Sequence, residues 1–325
     1  MARLKEVEII FIHMTMNSTY LQRKCPQCST ENLKSKGDVA PKIEASSLPF
    51  EELSQYWWGF RKDNLFFDYT RCGKCGQLYC DQYFTSGQLA MLYDQMPDNT
   101  DGVDKAVLAK TQKSYIDFLF RYKKPGKVYL EIGPDLGQSA EAAIKIGMAS
   151  KSPIQKLMFV EPNTAAHHVL SRFSTTTETV IASEISQLET DAQINGIVMI
   201  HVLDHLLQPS EYMQQLHKLS DVDCQILIVV HDESCLLRKI LGRRFPPFTL
   251  QHPHLFNRRT LRNFLEINGF RVLNIKKTRN YFPINHLVET LFKLVGVNKK
   301  YAKLFPKWNV PLRLGNIMAV AEKVV

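Results

Sequence analysis

The sequence predicts an α/β protein, a doubly wound seven-stranded sheet preceded by a small metal-binding module, and three observations carry that reading. From Lys127 onward, apolar runs of strand length alternate with segments of helical periodicity. Within this pattern "YLEIGPDLGQSAEAA", Tyr129 to Ala143, passes from a buried strand through a glycine turn into a helix. Ahead of it stand two CxxC pairs, "CPQC" and "CGKC". A chain of 325 residues, 45% hydrophobic and 22% charged, is long enough for one large α/β domain with a small appendage.

The module comes first in the chain, and residues 20–99 are assigned to it. Cys25 and Cys28 form one pair, Cys72 and Cys75 the other, with 43 residues between them. Each pair puts two thiolates on one tight turn, and two such turns together supply the four soft ligands of a tetrahedral structural zinc site. Gly73 and Gly76 ease the second turn. The separation exceeds that of a compact zinc ribbon, so "PKIEASSLPFEELSQYWWGFRKDN" is expected to be an insertion or an additional hairpin. A disulfide reading is disfavoured because the apolar run in "MARLKEVEIIFIHMTMNSTY" is too short for a secretion signal. A redox CxxC would open a helix beside a strand. Cys80, Cys224 and Cys235 have no paired spacing and read as buried thiols. No segment has the apolar length of a membrane span, and the chain is expected to be cytoplasmic.

"MPDNTDG" reads as a linker, with the boundary near Asn99 and the main domain covering residues 100–325. "KAVLAKTQKSYIDFLFRYKKPGK" is a helix leading into the sheet. The strands then follow as "KVYLEIG", "KLMFVEP", "TVIAS", "GIVMIHV", "CQILIVVHD", "RVLNIKK" and "NIMAVAEK". "LGQSAEAAIKIGMA", "HHVLSRF", "SEYMQQLHKLS" and "RRTLRNFLEINGF" are the helices between them, the first closing at Gly147 and the third starting after Pro209. That alternation predicts a parallel sheet with ligands at the carboxyl ends of its strands.

The first crossover distinguishes between nucleotides by charge. It reads Glu131, Ile132, Gly133, Pro134, Asp135, Leu136, Gly137, and the second and third glycines of a dinucleotide fingerprint are replaced by Asp135 and Gln138. A pyrophosphate needs bare amides at a helix N-terminus. Two carboxylates repel it, yet they suit a cofactor with an ammonium, a cationic sulfonium and no phosphate, a description that S-adenosylmethionine (SAM) meets. The second strand ends at Glu161 in "VEP", where a carboxylate can accept both hydroxyls of a ribose.

On "LEIGPDLG", "VEP", "IHVLDHLLQP" and "HPHLFNRRTLRNFLEINGF", the stretch from Tyr115 to Val325 resembles the class I SAM-dependent methyltransferases, with their Rossmann-like seven-stranded sheet. The cysteine pairs followed by "GQLYCDQYFTSGQLAMLYDQMPDN" look like the zinc-ribbon region ahead of the branch that methylates nucleotide sugars and related metabolites. The resemblance implies that Glu131 holds the methionine end of SAM, that Gly133 and Gly137 admit the backbone, and that Glu161 takes the ribose. Ile132, Pro134, Asp135 and Pro162 complete those two turns. It further implies Glu184 and Ile185 at the adenine and His201 at the methyl end. Asp135 departs from the usual E-x-G-x-G-x-G.

Methyl transfer requires alignment of acceptor, methyl and sulfur, and a base where the acceptor proton must leave. His252 and His231 rank first as acceptor-side candidates, followed by His205, which the resemblance also allows as a residue that pins its loop; each reads equally as a hydrogen-bonded structural histidine. Sugar C-methyltransferases carry Y-H-E-H-x-S-x-F-S before the sixth strand. Here "TLQHPHLFN" keeps His252 and Phe256 but has Thr249 and Gln251 at the Tyr and Glu positions, so O- or N-methylation is at least as well supported.

The net charge of +9 is unevenly distributed. From Leu236 to the end there are 18 Lys and Arg against 3 Glu and no Asp, a balance of +15, while the preceding residues carry −6. Such a segment suits a phosphate-bearing small molecule, an anionic membrane surface or nucleic acid, or is simply a solvated basic face. "LLRKILGRRFPPF" and "NYFPINHLVETLFKLVGVNKKYAKLFPKW" fall where the family builds an acceptor lid. Arg238, Lys239, Arg243 and Arg244 could clamp a diphosphate. Ile284, Leu287, Val288, Leu291 and Val295 form an apolar stripe, a packing face or, with Lys299, Lys300 and Lys303, a peripheral membrane contact. The leading reading is methylation of a small anionic or nucleotide-linked sugar or metabolite. The alternatives are an RNA methyltransferase, although "IHVLDHLLQP" lacks an N-P-P-Y type motif, and a non-catalytic binding protein of the same fold.

Overall fold

A computed structural model describes residues 20–31, 37–57, 64–94, 104–188, 193–285, 287–289, 298, 305–306 and 308–324. The expected boundary near Asn99, and Leu291, Val295, Lys299, Lys300 and Lys303 of the C-terminal stripe, lie outside the described residues. The chain divides into two compact units, Met1–Met96 with Leu241–His254 and Pro97–Ile240 with Leu255–Val325.

The larger unit is built on all seven expected strands: β1 (Val128–Ile132), β2 (Lys156–Val160), β3 (Glu178–Ala182), β4 (Ile194–Ile200), β5 (Ser220–His231), β6 (Phe270–Lys277) and β7 (Asn316–Lys323). Their order in the sheet is β6-β7-β5-β4-β1-β2-β3. Strands β1 to β5 pair in parallel, as the βαβ alternation predicts. The sheet is nevertheless mixed, because β7 pairs antiparallel with both β5 and β6.

Every residue of β1 is buried. Val128, Leu130 and Ile132 enter the core on one face of the sheet and Tyr129 the core on the other, as the two-residue period of a strand demands. Each fully buried aliphatic or aromatic side chain contributes roughly 1.5–3 kcal/mol, so apolar strands sandwiched between helices provide the main stabilisation. Helix α1 (Lys105–Leu119) starts where the Asp104 carboxylate accepts from the N–H groups of Ala106 and Val107. Helix α2 (Gln138–Ala149) runs past the expected stop at Gly147, and α3 (Pro209–Leu219) opens on its proline. Helix α4 (Arg258–Ile267) is capped by Asn257, whose side chain accepts from Arg259 and Thr260. "HHVLSRF" forms no long helix; 3-10 and α turns succeed one another from Thr164 to Thr175.

In the smaller unit Leu21–Gln22 pairs antiparallel with Gln82–Tyr83, and Tyr69–Arg71 with Leu78–Cys80. The insertion between the cysteine pairs is a crossover, not a hairpin: Ile43–Glu44 pairs in parallel with Leu65–Phe66, and the helix Phe50–Ser54 lies between them in sequence. Parallel strands need such a connection. An aromatic cluster substitutes for a large aliphatic core, with Phe84 near the rings of Tyr20, Phe50, Trp57 and Phe67 at 4.9–6.0 Å between centroids. The stretch Leu241–His254, which includes most of "TLQHPHLFN", folds with this unit. Tyr69 Oη donates to His252 O and Tyr83 Oη to Leu250 O, each at 2.5 Å, and Phe248 stacks on Phe66 at 5.5 Å.

Candidate cofactor crevice and thiol cluster

The sheet order reverses between β1 and β4, because the chain runs outward from β1 to β2 and β3 before returning to the other side of β1. Such a switch point opens a crevice beyond the carboxyl ends of the two strands. Glu131 and the turn Gly133–Gly137 lie at one lip, and His201 follows β4 at the other.

The turn uses three left-handed backbones, at Gly133 (φ 64°), Asp135 (φ 52°) and Gly137 (φ 75°). A Cβ on Gly133 would come within 2.7 Å of Val202 Cγ2, and one on Gly137 within 2.6 Å of Phe173 Cε2, so both glycines are required by space as well as by φ. Asp135 adopts a conformation that Asp tolerates better than most residues. That tolerance lets the turn keep its path without the second glycine of the usual E-x-G-x-G-x-G. Ile132 ends β1 in the core, and Gly137 N–H donates to Pro134 O at 2.8 Å to close the turn.

Glu131 is only 2% exposed. Ser139 Oγ donates to its Oε1, and Tyr129 Oη lies 3.5 Å from its Oε2. Loss of water pushes its pKa up to about 8; hydrogen bonds from Ser139 and Tyr129 oppose this, and Asp135 and Glu161 add to it. Burial also raises the Glu161 pKa, against hydrogen bonds from the N–H groups of Asn163 and Asp135. Three carboxyl groups thus gather at these turns, with His167 acting on Glu161, and their combined charge favours a cation. Pro162 sits between Glu161 and Asn163 in the turn that this hydrogen bond shapes. Glu184 is exposed, whereas Ile185 is buried beside Val160 and Ala182.

Across the crevice, His201 (φ 54°) is held between Asn316, whose Nδ2 is 3.3 Å from His201 Nε2, and the His231 ring, 4.6 Å away between centroids. Its pKa is lowered to about 3 by burial, and the nearby His231 contributes. The His205 pKa is lowered by burial too. Asp204, fully buried, gathers the group: its Oδ2 lies 2.6 Å from His231 Nδ1 and accepts the His231 backbone N–H at 3.1 Å. An ionised carboxylate accepts, so this contact favours the His231 tautomer with its proton on Nδ1. Sequence reasoning missed Asp204 and Asn316. The signal for Asp204 was available in "HVLDHL", where an acid stands among residues that must be buried; Asn316 carried none. His252 lies in the smaller unit, where its Nδ1 is 2.7 Å from Pro247 O and 3.0 Å from Thr249 Oγ1.

The four expected cysteines converge, with their sulfur atoms all within 4.8 Å of one another. Cys25 and Cys75 Sγ are 3.5 Å apart, Cys28 and Cys72 Sγ 3.6 Å. A disulfide needs about 2.05 Å. Four thiolates around a tetrahedral zinc at about 2.3 Å stand about 3.8 Å apart. The donor set and spacing therefore fit zinc. The two turns repeat one hydrogen-bond pattern, Ser29 N–H to Cys25 O with Cys25 N–H to Thr30 O, and Gly76 N–H to Cys72 O with Cys72 N–H to Gln77 O. Ser29 (φ 54°) and Gly76 (φ 80°) are equivalent positions in them.

Residues 107–275 match the model of a family described as "Methyltransferase domain". A search of curated proteins returned no match. Among solved structures, the chain is similar to the Burkholderia thailandensis 1,6-didemethyltoxoflavin-N1-methyltransferase with bound 1,6-didemethyltoxoflavin and S-adenosylhomocysteine, at 15% identity and a TM-score of 0.50, covering 78% of this chain and 97% of that one. It is also similar to a chain from the complex between the Haloferax volcanii Trm112 methyltransferase activator and a methyltransferase, at 11% identity and a TM-score of 0.51, covering 70% of this chain and 96% of that one. At these identities the likeness establishes the fold.

Proposed function

The chain belongs to the methyltransferase-domain family and is a SAM-dependent methyltransferase, and from that premise we propose that its acceptor is a small anionic metabolite, in the first instance a nucleotide-linked sugar. The observation that carries the reading is the division of the crevice. One lip holds Glu131, Asp135 and Glu161; the other holds His201, which burial keeps uncharged, beside His231 and the buried Asp204. Bound there, SAM supplies a methyl group on a sulfonium. Glu131 holds the ammonium end, Glu161 the ribose hydroxyls, Glu184 and Ile185 border the base, and the glycines admit the backbone. His201 stays uncharged beside the reacting centre, so it adds no repulsion toward a cationic sulfur.

Of the histidine candidates, His231 is the preferred base. Asp204 fixes its tautomer and stabilises the imidazolium that forms when it takes the acceptor proton, whereas burial depresses the basicity of His205 and His201. His252 is assigned a structural role, since its ring and carbonyl are engaged within the smaller unit. The basic excess of the C-terminal third supports an anionic acceptor. A structural zinc on Cys25, Cys28, Cys72 and Cys75 completes the reading, supported by sulfur spacing and the repeated turn.

The test is mass spectrometry of cell metabolites with and without the protein. A pair differing by one methyl group, with the unmethylated member anionic, supports the acceptor class. Methylation found only on RNA would overturn it, and absence of SAM binding in calorimetry at millimolar cofactor would remove the enzymatic reading altogether.

A further inference from the structure

The basic excess is not spread evenly over the described surface of the larger unit. Beyond β6 the chain makes a short antiparallel ribbon, Asn280–Pro283 paired with Asn309–Leu312. Arg279 and Arg313 flank its base, next to the paired Asn280 and Leu312. Ile284 N–H donates to Trp308 O at 2.9 Å and closes the other end.

Helix α1 packs along the ribbon: Tyr281 N–H donates to Thr111 Oγ1 at 3.0 Å and Ser114 Oγ reaches Arg279 O at 3.3 Å. This brings Lys110 over the Tyr281 ring at 4.4 Å and Lys276 over the Phe118 ring at 3.7 Å. Arg121, Arg279 and Arg313 are close enough to Lys276 to lower its pKa, an effect second to its burial.

Five cations thus share one face, and none forms an ion pair with a carboxylate among the described residues. Four of them are exposed. A fold that gathers like charges without neutralising them incurs repulsion, which an external anionic partner would relieve. At the closed end of the ribbon Trp308 is 74% exposed, and next to Arg313 in the chain Leu314 is 39% exposed. A soluble phosphate has no use for an exposed indole. An exposed indole at the tip of a ribbon whose base carries cations suits the headgroup layer of an anionic bilayer.

We infer that the ribbon and the adjoining face of α1 form a peripheral docking surface for anionic lipid, with Arg279, Arg313, Lys276, Lys110 and Arg121 against the headgroups and Trp308 inserted at the interface. This goes beyond the methyl-transfer reading and does not depend on it.

The test is co-sedimentation of the full-length protein, at low salt, with vesicles of phosphatidylcholine alone and of phosphatidylcholine mixed with phosphatidylglycerol. Binding is expected only to the anionic vesicles, with a blue shift in emission that Trp308→Phe abolishes. Arg279→Glu with Arg313→Glu should weaken binding by about tenfold or more, since each basic side chain near an anionic surface is worth ~1 kcal/mol. A circular dichroism spectrum and melting temperature matching the parent's show that the double variant has folded. Equal partition onto neutral vesicles, no binding to anionic ones, or loss of binding in millimolar pyrophosphate without any Trp308 shift would each overturn the inference. So would a higher affinity for an RNA oligonucleotide than for the vesicles.

Discussion

A carboxyl group buried as deeply as Glu131 keeps its proton to about pH 8 unless a cation arrives. Its folded pKa is raised above the unfolded value, so its contribution to stability is fully present below about pH 4.5 and is lost as pH rises through about 8. Without cofactor, Glu131→Gln should therefore gain stability relative to the parent as pH rises across that window, measurable as the difference in urea midpoints. If, as proposed, the ionised Glu131 holds the ammonium of SAM, affinity in the parent should tighten toward about pH 8 and Glu131→Gln should remove that dependence. The loss on substitution should be about 1.5–3 kcal/mol, the worth of a hydrogen bond to a charged group, read by calorimetry. An unchanged affinity would exclude Glu131 from the cofactor site. Gly137 gives a second residue-scale prediction, because its φ of 75° and the Phe173 ring both oppose a methyl group. Gly137→Ala should cost about 1–3 kcal/mol, while Gly73→Ala, with nothing within 4 Å of the added carbon, should be nearly neutral.

At the scale of elements, the two cysteine turns are equivalent in hydrogen bonding but not in sequence, since Ser29 occupies the left-handed position that Gly76 holds in the second. On the proposed reading, metal ligation would supply the energy that holds both turns together beside a core rich in aromatic rings. Purified protein should carry one zinc per chain by elemental analysis, and Cys72→Ser should lose it and lower the melting temperature. Retention of metal by Cys72→Ser would argue against the four-thiolate site. These turns were legible because ligand spacing is a local property, as were the strands of the sheet, whose apolar runs leave no other placement. The insertion between the cysteine pairs was not, because "SSLPFEELS" encodes a helix too short to announce itself by periodicity. The reversed direction of β7 was hidden for a different reason: an apolar strand carries no mark of parallel or antiparallel pairing. "TLQHPHLFN" misled in a third way, since membership of the smaller unit depends on Tyr69 and Tyr83, more than 160 residues earlier, finding its carbonyls.

At the scale of the whole molecule, the candidate site exists only through sheet order. Glu131, Glu161 and His201 are separated along the chain, yet the sequence of strands 6-7-5-4-1-2-3 brings the carboxyl ends of β1, β2 and β4 side by side. The acids of the first two turns were readable because each ends a recognisable strand. Asp204 and Asn316 were not singled out: "HVLDHL" hinted that Asp204 is buried, but the roles of both residues come from β5 lying between β4 and β7, an arrangement that no local pattern encodes. The same geometry predicts where the cofactor will be felt. In hydrogen exchange, SAM should slow the amides of 131–137, 161–163, 183–188 and 201–205, all at the carboxyl ends of strands. It should leave 119–126, which lead into the amino end of β1, at their unliganded rates. Ligand binding deepens protection where contacts form and where local opening is suppressed, so a footprint at one end of the sheet follows from binding at the switch point. Protection concentrated at the amino ends would place the cofactor on the wrong side of the sheet, and with it every role assigned to Glu131, Glu161 and His201.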